Sequence, residues 1–244
     1  MDHIQDRMTE GSIAGKLVRF AVPLFIGNLF QQLYNTADTL IVGNFVGTNA
    51  LAAVGATSSF VNLLVGLFVG LCSGAGVVIA QSWGAHDPEA VDRQVHTALV
   101  LSVGLGALLT VLGFASATPM MRLMGTPEEI LADSALYLDI YVLGLPFMFF
   151  YNIATGIFSA LGDSKTPFYF LAVSSLSNIG VDILFVAGFQ MGIAGVAWAT
   201  FLCQGVSCVL AMVVVFRRIG AFKSTHKVVL FSWNMLGKVA MVAI

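Results

Sequence analysis

The chain has 244 residues, of which 58% are hydrophobic and 10% are charged, with a mean hydropathy of +0.91. Soluble domains carry roughly 25% charged residues, so this composition excludes an ordinary soluble domain and indicates an integral membrane protein. The net charge of −2 identifies no partner. We expect the chain to contact the lipid bilayer and no nucleic acid.

Long apolar runs mark the membrane-spanning helices, because about 20 residues cross the hydrocarbon layer. The sequence predicts an all-α membrane protein with six complete spans and the start of a seventh near Val228, still apolar at Ile244. Since the chain ends inside an apolar run, we expect a fragment of a longer protein. The predicted spans are 17–46, 56–81, 97–117, 135–158, 167–188 and 193–216.

These spans divide the chain into four parts. The predicted parts are a cytoplasmic amino-terminal segment at 1–15, a six-helix lobe at 16–216, a basic cytoplasmic linker at 217–227, and the truncated start of helix seven at 228–244. Between the spans, residues 47–55 and 115–134 are predicted to be outer loops and 82–96 an inner loop. Within 115–134, a turn at Gly125 followed by Pro127, Glu128 and Glu129 predicts a short interfacial helix.

The basic residues predict the orientation, since Lys and Arg accumulate in cytoplasmic loops. One side of the predicted bundle has only Arg122. The other side has nine basic residues: Arg7, Lys16, Arg19, Arg93, Lys165, Arg217, Arg218, Lys223 and Lys227. We therefore expect a multi-pass protein of the plasma (inner) membrane with a cytoplasmic amino terminus.

The first predicted helix carries a polar stripe on one face, formed by Asn28, Gln31, Asn35 and Asp38. The first three are predicted to line a cavity. A carboxylate at membrane depth costs at least a few kcal/mol and usually faces a bundle interior or an aqueous pathway. The alternative is that Asp38 lies near the outer surface and is hydrated there. Pro23 removes a backbone hydrogen bond and predicts a hinge in the same helix.

A second acid is predicted at a matching depth. Counting 1.5 Å per residue from the outer helix ends places Asp38 roughly 12 Å, Asp182 roughly 9 Å and Thr200 roughly 10 Å deep. Asn178 shares a helical face with Asp182, and Tyr34 lies one turn from Asp38, where its hydroxyl can donate a hydrogen bond. If the helices adjoin, these five side chains form an oxygen-rich cluster.

Such a cluster can take up a cation. Two neighbouring carboxylates in a low-dielectric setting resist simultaneous ionisation, so the pair is a proton acceptor. Sodium also prefers such oxygens, with Asp38, Asp182 and Asn178 as its expected ligands. The sequence leaves proton and sodium open and predicts no other cofactor. The alternative is a hydrogen-bonded network that only holds helices together.

Five motifs resemble the amino-terminal half of the multidrug and toxic compound extrusion (MATE) transporters. The resemblance covers essentially all of residues 10–244, and the motifs are specific in combination although each is loose by itself. The motifs are Pro23-Leu-Phe through Asn35-Thr-Ala-Asp38-Thr, Gln81-Ser-Trp-Gly-Ala, Ser159-Ala-Leu-Gly-Asp163-Ser-Lys165-Thr-Pro167, Asn178-Ile-Gly-Val-Asp182, and Gly192-Ile-Ala-Gly-Val-Ala-Trp-Ala-Thr200.

The resemblance implies a twelve-helix fold of two lobes, of which the second is missing from this chain. It implies export of organic cations and other toxic amphiphiles in exchange for protons or sodium. By analogy, Tyr34, Asp38, Asn178, Asp182 and Thr200 match the cation site of the amino-terminal lobe. Pro23 matches the proline at which helix one bends.

The function predicted from the sequence is therefore a cation-coupled antiporter for multidrug efflux. One alternative is a flippase for a lipid-linked precursor or polysaccharide, which would need a basic cavity that the spans lack. Another is a non-transporting membrane scaffold. An enzyme is not expected, because the predicted spans contain no histidine and hence no Ser-His or Cys-His pair.

Overall fold

A computed structural model describes residues 13–219, and within them it leaves out the side chains of Ile13, Lys16, Arg19, Leu67, Leu71, Arg218 and Ile219. The described part is helical and contains no strand. Its long helices are α1 (Ile13–Ile41), α2 (Thr48–Gly84), α3 (Pro88–Leu123), α4 (Glu128–Ala160), α5 (Lys165–Ile183) and α6 (Gly192–Ile219). Two π-helical turns, Val42–Val46 and Leu184–Gly188, extend α1 and α5.

Helices α2 to α6 are long and apolar enough to cross a membrane, which makes five candidate spans in the described range. Helix α1 has 29 residues but is not among these five candidates. The all-α membrane fold is confirmed, whereas the exact count of six complete spans is not. The predicted seventh helix lies outside the described residues, as do positions 1–12 and all but the first three residues of the predicted linker.

The connections predicted at 47–55 and 115–134 are present but much shorter than expected. Helix α2 begins at Thr48, directly after Gly47, whose φ of 113° suits glycine. Helix α3 continues to Leu123 and α4 begins at Glu128, so the two acids start a spanning helix and no separate interfacial helix forms. Apolar runs mark the hydrocarbon crossing, but a helix continues into the polar interface until a turn residue stops it.

The predicted inner loop at 82–96 is also shorter than expected. Helix α2 ends at Gly84 and α3 begins at Pro88. The Ala90 N–H donates to Asp87 Oδ1 at 3.0 Å, so Asp87 is a helix N-cap with proline at the first helical position. Local capping therefore starts α3 about nine residues before its apolar run.

Helix α4 is the centre of the bundle and packs against α2, α3 and α6. Glycines allow the close approach of α3: a Cβ on Gly106 would lie 2.8 Å from Pro146 Cα, and one on Gly113 would lie 2.7 Å from a Val142 methyl. On the other side of the bundle, α1 packs on α5 and α5 packs on α6. This order brings the acid-bearing faces of α1 and α5 together, with α6 and α4 behind them.

Candidate functional site

The structure brings together the five predicted cation-site residues. Asp182 is fully buried, while Asn178 and Thr200 are 3% and 5% exposed. Asp38 is half-buried, and its carboxyl group faces that of Asp182 within reach of a shared proton. Tyr34 of the same helix approaches Thr200 of α6. The matching depths counted from the sequence therefore correspond to real proximity across α1, α5 and α6.

The cluster has more acceptors than donors. Five of its buried oxygen atoms have no hydrogen-bond partner within the described residues: Asp38 Oδ1, Asn178 Oδ1, Asp182 Oδ1, Asp182 Oδ2 and Thr200 Oγ1. When both acids are ionised, neither carboxylate can donate to the other. Buried polar atoms without partners are costly, and a proton or a cation bound here would satisfy some of these oxygens.

The donor chemistry limits which ion fits. No three His, Cys, Asp or Glu side chains in residues 13–219 come together as a metal site. Two carboxylates with an amide and a hydroxyl oxygen form instead an all-oxygen set, which suits a proton or a hard cation rather than a thiol- or imidazole-seeking metal. The sodium ligands predicted from the sequence, Asp38, Asp182 and Asn178, belong to this set.

Helix α4 adds an aromatic wall that the sequence reasoning missed. Tyr137 is buried and is an electrostatic neighbour of both acids. Tyr141 stacks on it with ring centroids 6.2 Å apart, and the Tyr141 hydroxyl lies 3.7 Å from Met148 Sδ. The one available signal was the four-residue spacing of two tyrosines on an otherwise apolar helix.

The polar stripe of α1 separates into two parts. Asn28, Gln31 and Asn35 are exposed, whereas Asp38 turns toward α5. At about 100° per residue the stripe covers about 80°, with Asp38 at the edge nearest Tyr34. The first three therefore do not join the cluster, and their role in lining a cavity stays a prediction.

Pro23 lies inside α1, and the helix continues through it without a break. The position lacks a backbone N–H, so this turn of the helix has one hydrogen bond fewer than its neighbours. The prediction that α1 bends here stays a prediction.

A π-helical turn follows each acid along the chain. Val42–Val46 begins four residues after Asp38, and Leu184–Gly188 begins two residues after Asp182. The two turns contact each other and α6. Each contains a residue more than a regular helical turn, and such insertions occur frequently at functional sites.

Comparison with known proteins finds a matching family model and related transporters. The MatE family model matches residues 23–184. The probable multidrug resistance proteins YpnP and YoeA of Bacillus subtilis are 33% and 35% identical over 224 and 219 residues, which is 92% and 88% of this chain. Those matches cover 48% and 47% of the two proteins, so the chain spans about half the length of these curated relatives.

A solved structure gives the same result. The outward-facing conformation of a multidrug resistance MATE family transporter of the MOP superfamily superposes with a TM-score of 0.87 at 26% identity. The superposition covers all of this chain and 53% of that one. The fold and the extent of the match agree with one lobe of such a transporter.

Proposed function

Because the chain belongs to the MATE family of membrane transporters, we propose that it forms the ion-binding lobe of a cation-coupled efflux antiporter. The coupling ion is a proton or sodium, and the exported compounds are amphipathic organic cations. The family membership makes the chain part of a transporter rather than an enzyme. The relatives named as multidrug resistance proteins support the efflux direction.

The observation that carries this proposal is the excess of oxygen acceptors around Asp182. A cluster that served only to hold helices together would pair its acceptors with donors, as buried polar groups in stable cores do. Here Asp38 and Asp182 meet across α1 and α5 with neither able to donate while both are ionised. Uptake of one proton or sodium ion supplies the positive partner that these acceptor oxygens lack.

Ion binding is proposed to act on α1. This helix packs mainly on α5, with Gly27 against Leu171 and Phe30 edge-on to Phe168 at 6.0 Å. Neutralising the acid pair removes the repulsion between the two helices at their outer ends, and Pro23 provides the hinge. The ion shifts the equilibrium only as far as its affinity differs between two conformations, so it binds better to the outward-facing one.

The charge distribution supports cationic substrates. Between residues 20 and 216 the basic residues are Arg93, Arg122 and Lys165, and each lies near a helix end. A lobe with acids and aromatic rings at depth and no cation there attracts positive charge. It disfavours a pyrophosphate-linked lipid, which needs basic partners. The excess of basic residues on one predicted side of the bundle, with Arg122 alone on the other, supports a plasma membrane protein with a cytoplasmic amino terminus.

The test is ethidium efflux in inverted vesicles that contain the complete transporter, driven separately by a proton or a sodium gradient. Efflux is expected to require one gradient and to disappear in Asp38→Asn. The matched control is Asp139→Asn, because Asp139 lies on α4 away from the cluster and is only partly buried. Efflux without either gradient, or unchanged efflux in Asp38→Asn, would contradict the proposal.

A further inference from the structure

The exposed side of the α5–α6 pair carries a groove that is separate from the acidic cluster. Its volume is about 540 Å³, and its lining contains no Asp, Glu, Lys, Arg or His. The middle of the groove is made of small residues, including Ser174, Ser177 and Ser207. Val173 and Val206 form opposite rims and are 57% and 60% exposed. The concavity therefore arises because short side chains lie between larger apolar ones.

Hydrogen bonding fixes the shape of the groove floor. Ser207 Oγ lies 2.7 Å from Ser174 Oγ across the two helices and 2.7 Å from the Cys203 carbonyl oxygen on its own helix. The hydroxyl groups of Ser174 and Ser207 thus find partners within the protein. What the groove presents outward is mainly the carbon surface of its walls.

The groove lies at the depth of the membrane hydrocarbon. Its α5 wall runs from Tyr169 to Phe185, roughly 24 Å, and its α6 wall runs from Leu202 to Leu210, roughly 12 Å, at 1.5 Å per residue. Both walls lie inside candidate spans. One leaflet contributes about 15 Å of hydrocarbon, half of the bilayer core. The α6 wall, roughly 12 Å long, is therefore close to the hydrocarbon thickness of one leaflet.

We propose that this groove binds one acyl chain of a bilayer phospholipid, which is retained as a ligand. The groove is continuous with the exposed apolar faces of both spans, which contact lipid in the membrane. Its neutral lining fits a hydrocarbon chain and offers no counter-charge to a headgroup. Because the bulk bilayer is equally apolar, the preference for the groove comes from dispersion contacts on several sides of the chain.

The bound chain packs on the outer wall of the acidic cluster. Cys203 lines the groove, and its thiol also reaches the side chain of Asn178. Along α5, Ser177 and Val181 face the groove, while Asn178 and Asp182 are buried in the cluster. The proposal does not depend on ion-coupled transport, since it requires only that α5 and α6 span the bilayer.

The experiment uses the complete protein in nanodiscs containing a phospholipid with a photoreactive diazirine in its acyl chain. After illumination, the crosslinked peptides are mapped by mass spectrometry. Wild-type protein is expected to show labelling concentrated on the groove walls, above that of other exposed positions such as Val111, which is 67% exposed on α3. Ser177→Phe fills the groove and is expected to lower this labelling about tenfold, a ratio equivalent to about 1.4 kcal/mol.

The matched control is Leu176→Phe, which adds bulk to the preceding residue of α5. This position is 63% exposed and lies outside the groove. Its labelling is expected to match the wild type. Labelling spread in proportion to exposure would reveal only unselective lipid contact and would overturn the proposal. Labelling absent from the groove would show that another part of the protein covers it, which overturns the proposal equally. The wild-type map decides between these outcomes even if Ser177→Phe fails to fold.

Discussion

Replacing Asp182 by asparagine changes the charge of the cluster without changing the size of its side chains. The substitution conserves side-chain volume, removes one negative charge, and gives the fully buried position an N–H donor that can reach Asp38. Both oxygens of Asp182 and Oδ1 of Asp38 have no hydrogen-bond partner within the described residues. Asp182→Asn therefore acts as a permanent substitute for the ion.

The size of the effect follows from the number of unsatisfied oxygens. Each buried acceptor without a donor costs about 1–3 kcal/mol, and the new amide satisfies at least one of them. The free energy of unfolding without ions is expected to rise by that amount, which corresponds to about 2–4 °C per kcal/mol for a folding unit of about 150–250 residues. Wild type with the ion at 100 times its Kd gains about 2.7 kcal/mol, whereas Asp182→Asn gains almost none.

The assay is thermal unfolding of the purified protein in detergent, followed by a thiol-reactive dye. Sodium is titrated against choline at constant ionic strength, and proton binding is tested by repeating the melts at decreasing pH without sodium. Asp139→Asn controls for the loss of an acid outside the cluster. The reasoning is refuted if Asp182→Asn keeps the ion-dependent rise in melting temperature, or if it melts below ion-free wild type.

Three further substitutions test packing, the cluster and the hinge. Gly113→Ala places a Cβ 2.7 Å from a Val142 methyl and should lower the free energy of unfolding by about 1–3 kcal/mol, measured by thermal unfolding. Tyr34→Phe removes the hydroxyl that approaches Thr200 and should weaken ion binding several-fold without loss of expression, measured by the ion-dependent melting shift. Pro23→Ala restores a backbone donor to α1 and should slow efflux while ion-dependent stabilisation persists.

Two of these changes have matched controls. Gly104→Ala adds the same methyl group on α3 with no neighbouring side chain or helix within 4 Å, and it should leave stability unchanged or raise it by up to about 1 kcal/mol. Tyr169→Phe removes an exposed hydroxyl of α5 and should not alter ion binding. Equal instability of the two glycine variants would contradict the packing argument, and loss of ion-dependent stabilisation in Pro23→Ala would contradict a purely mechanical role for the proline.

The helical membrane fold could be predicted because hydropathy is a property of each span by itself. The helix ends could not be predicted in the same way. Thr48, Pro88 and Glu128 begin their helices well before the apolar runs, since turns and caps, rather than the hydrocarbon boundary, stop and start the backbone. The π-helical turns after Asp38 and Asp182 were also missed, because a single inserted residue leaves no periodic signal.

The acidic cluster could be predicted from the sequence because charged residues are rare in membrane spans. The depth of each one follows from counting residues from the helix end. Asp38, Asp182 and Thr200 could be placed at one depth without knowledge of which helices are neighbours. The tyrosines at 137 and 141 could not be identified, because aromatic residues are common on apolar helices. Only the three-dimensional packing of α4 shows that Tyr137 faces the acids and that Tyr141 stacks on it.

The most direct test of ion coupling is ion displacement by substrate on the purified, complete transporter. Tetraphenylphosphonium is added to protein in weakly buffered detergent solution, and released protons are followed with a pH-indicator dye or released sodium with a radioactive tracer. Wild type should release one of the two ions in proportion to bound substrate, and Asp38→Asn and Asp182→Asn should release neither. Substrate binding without ion release in the wild type would contradict the account. So would ion release from either variant that equals the release from the wild type.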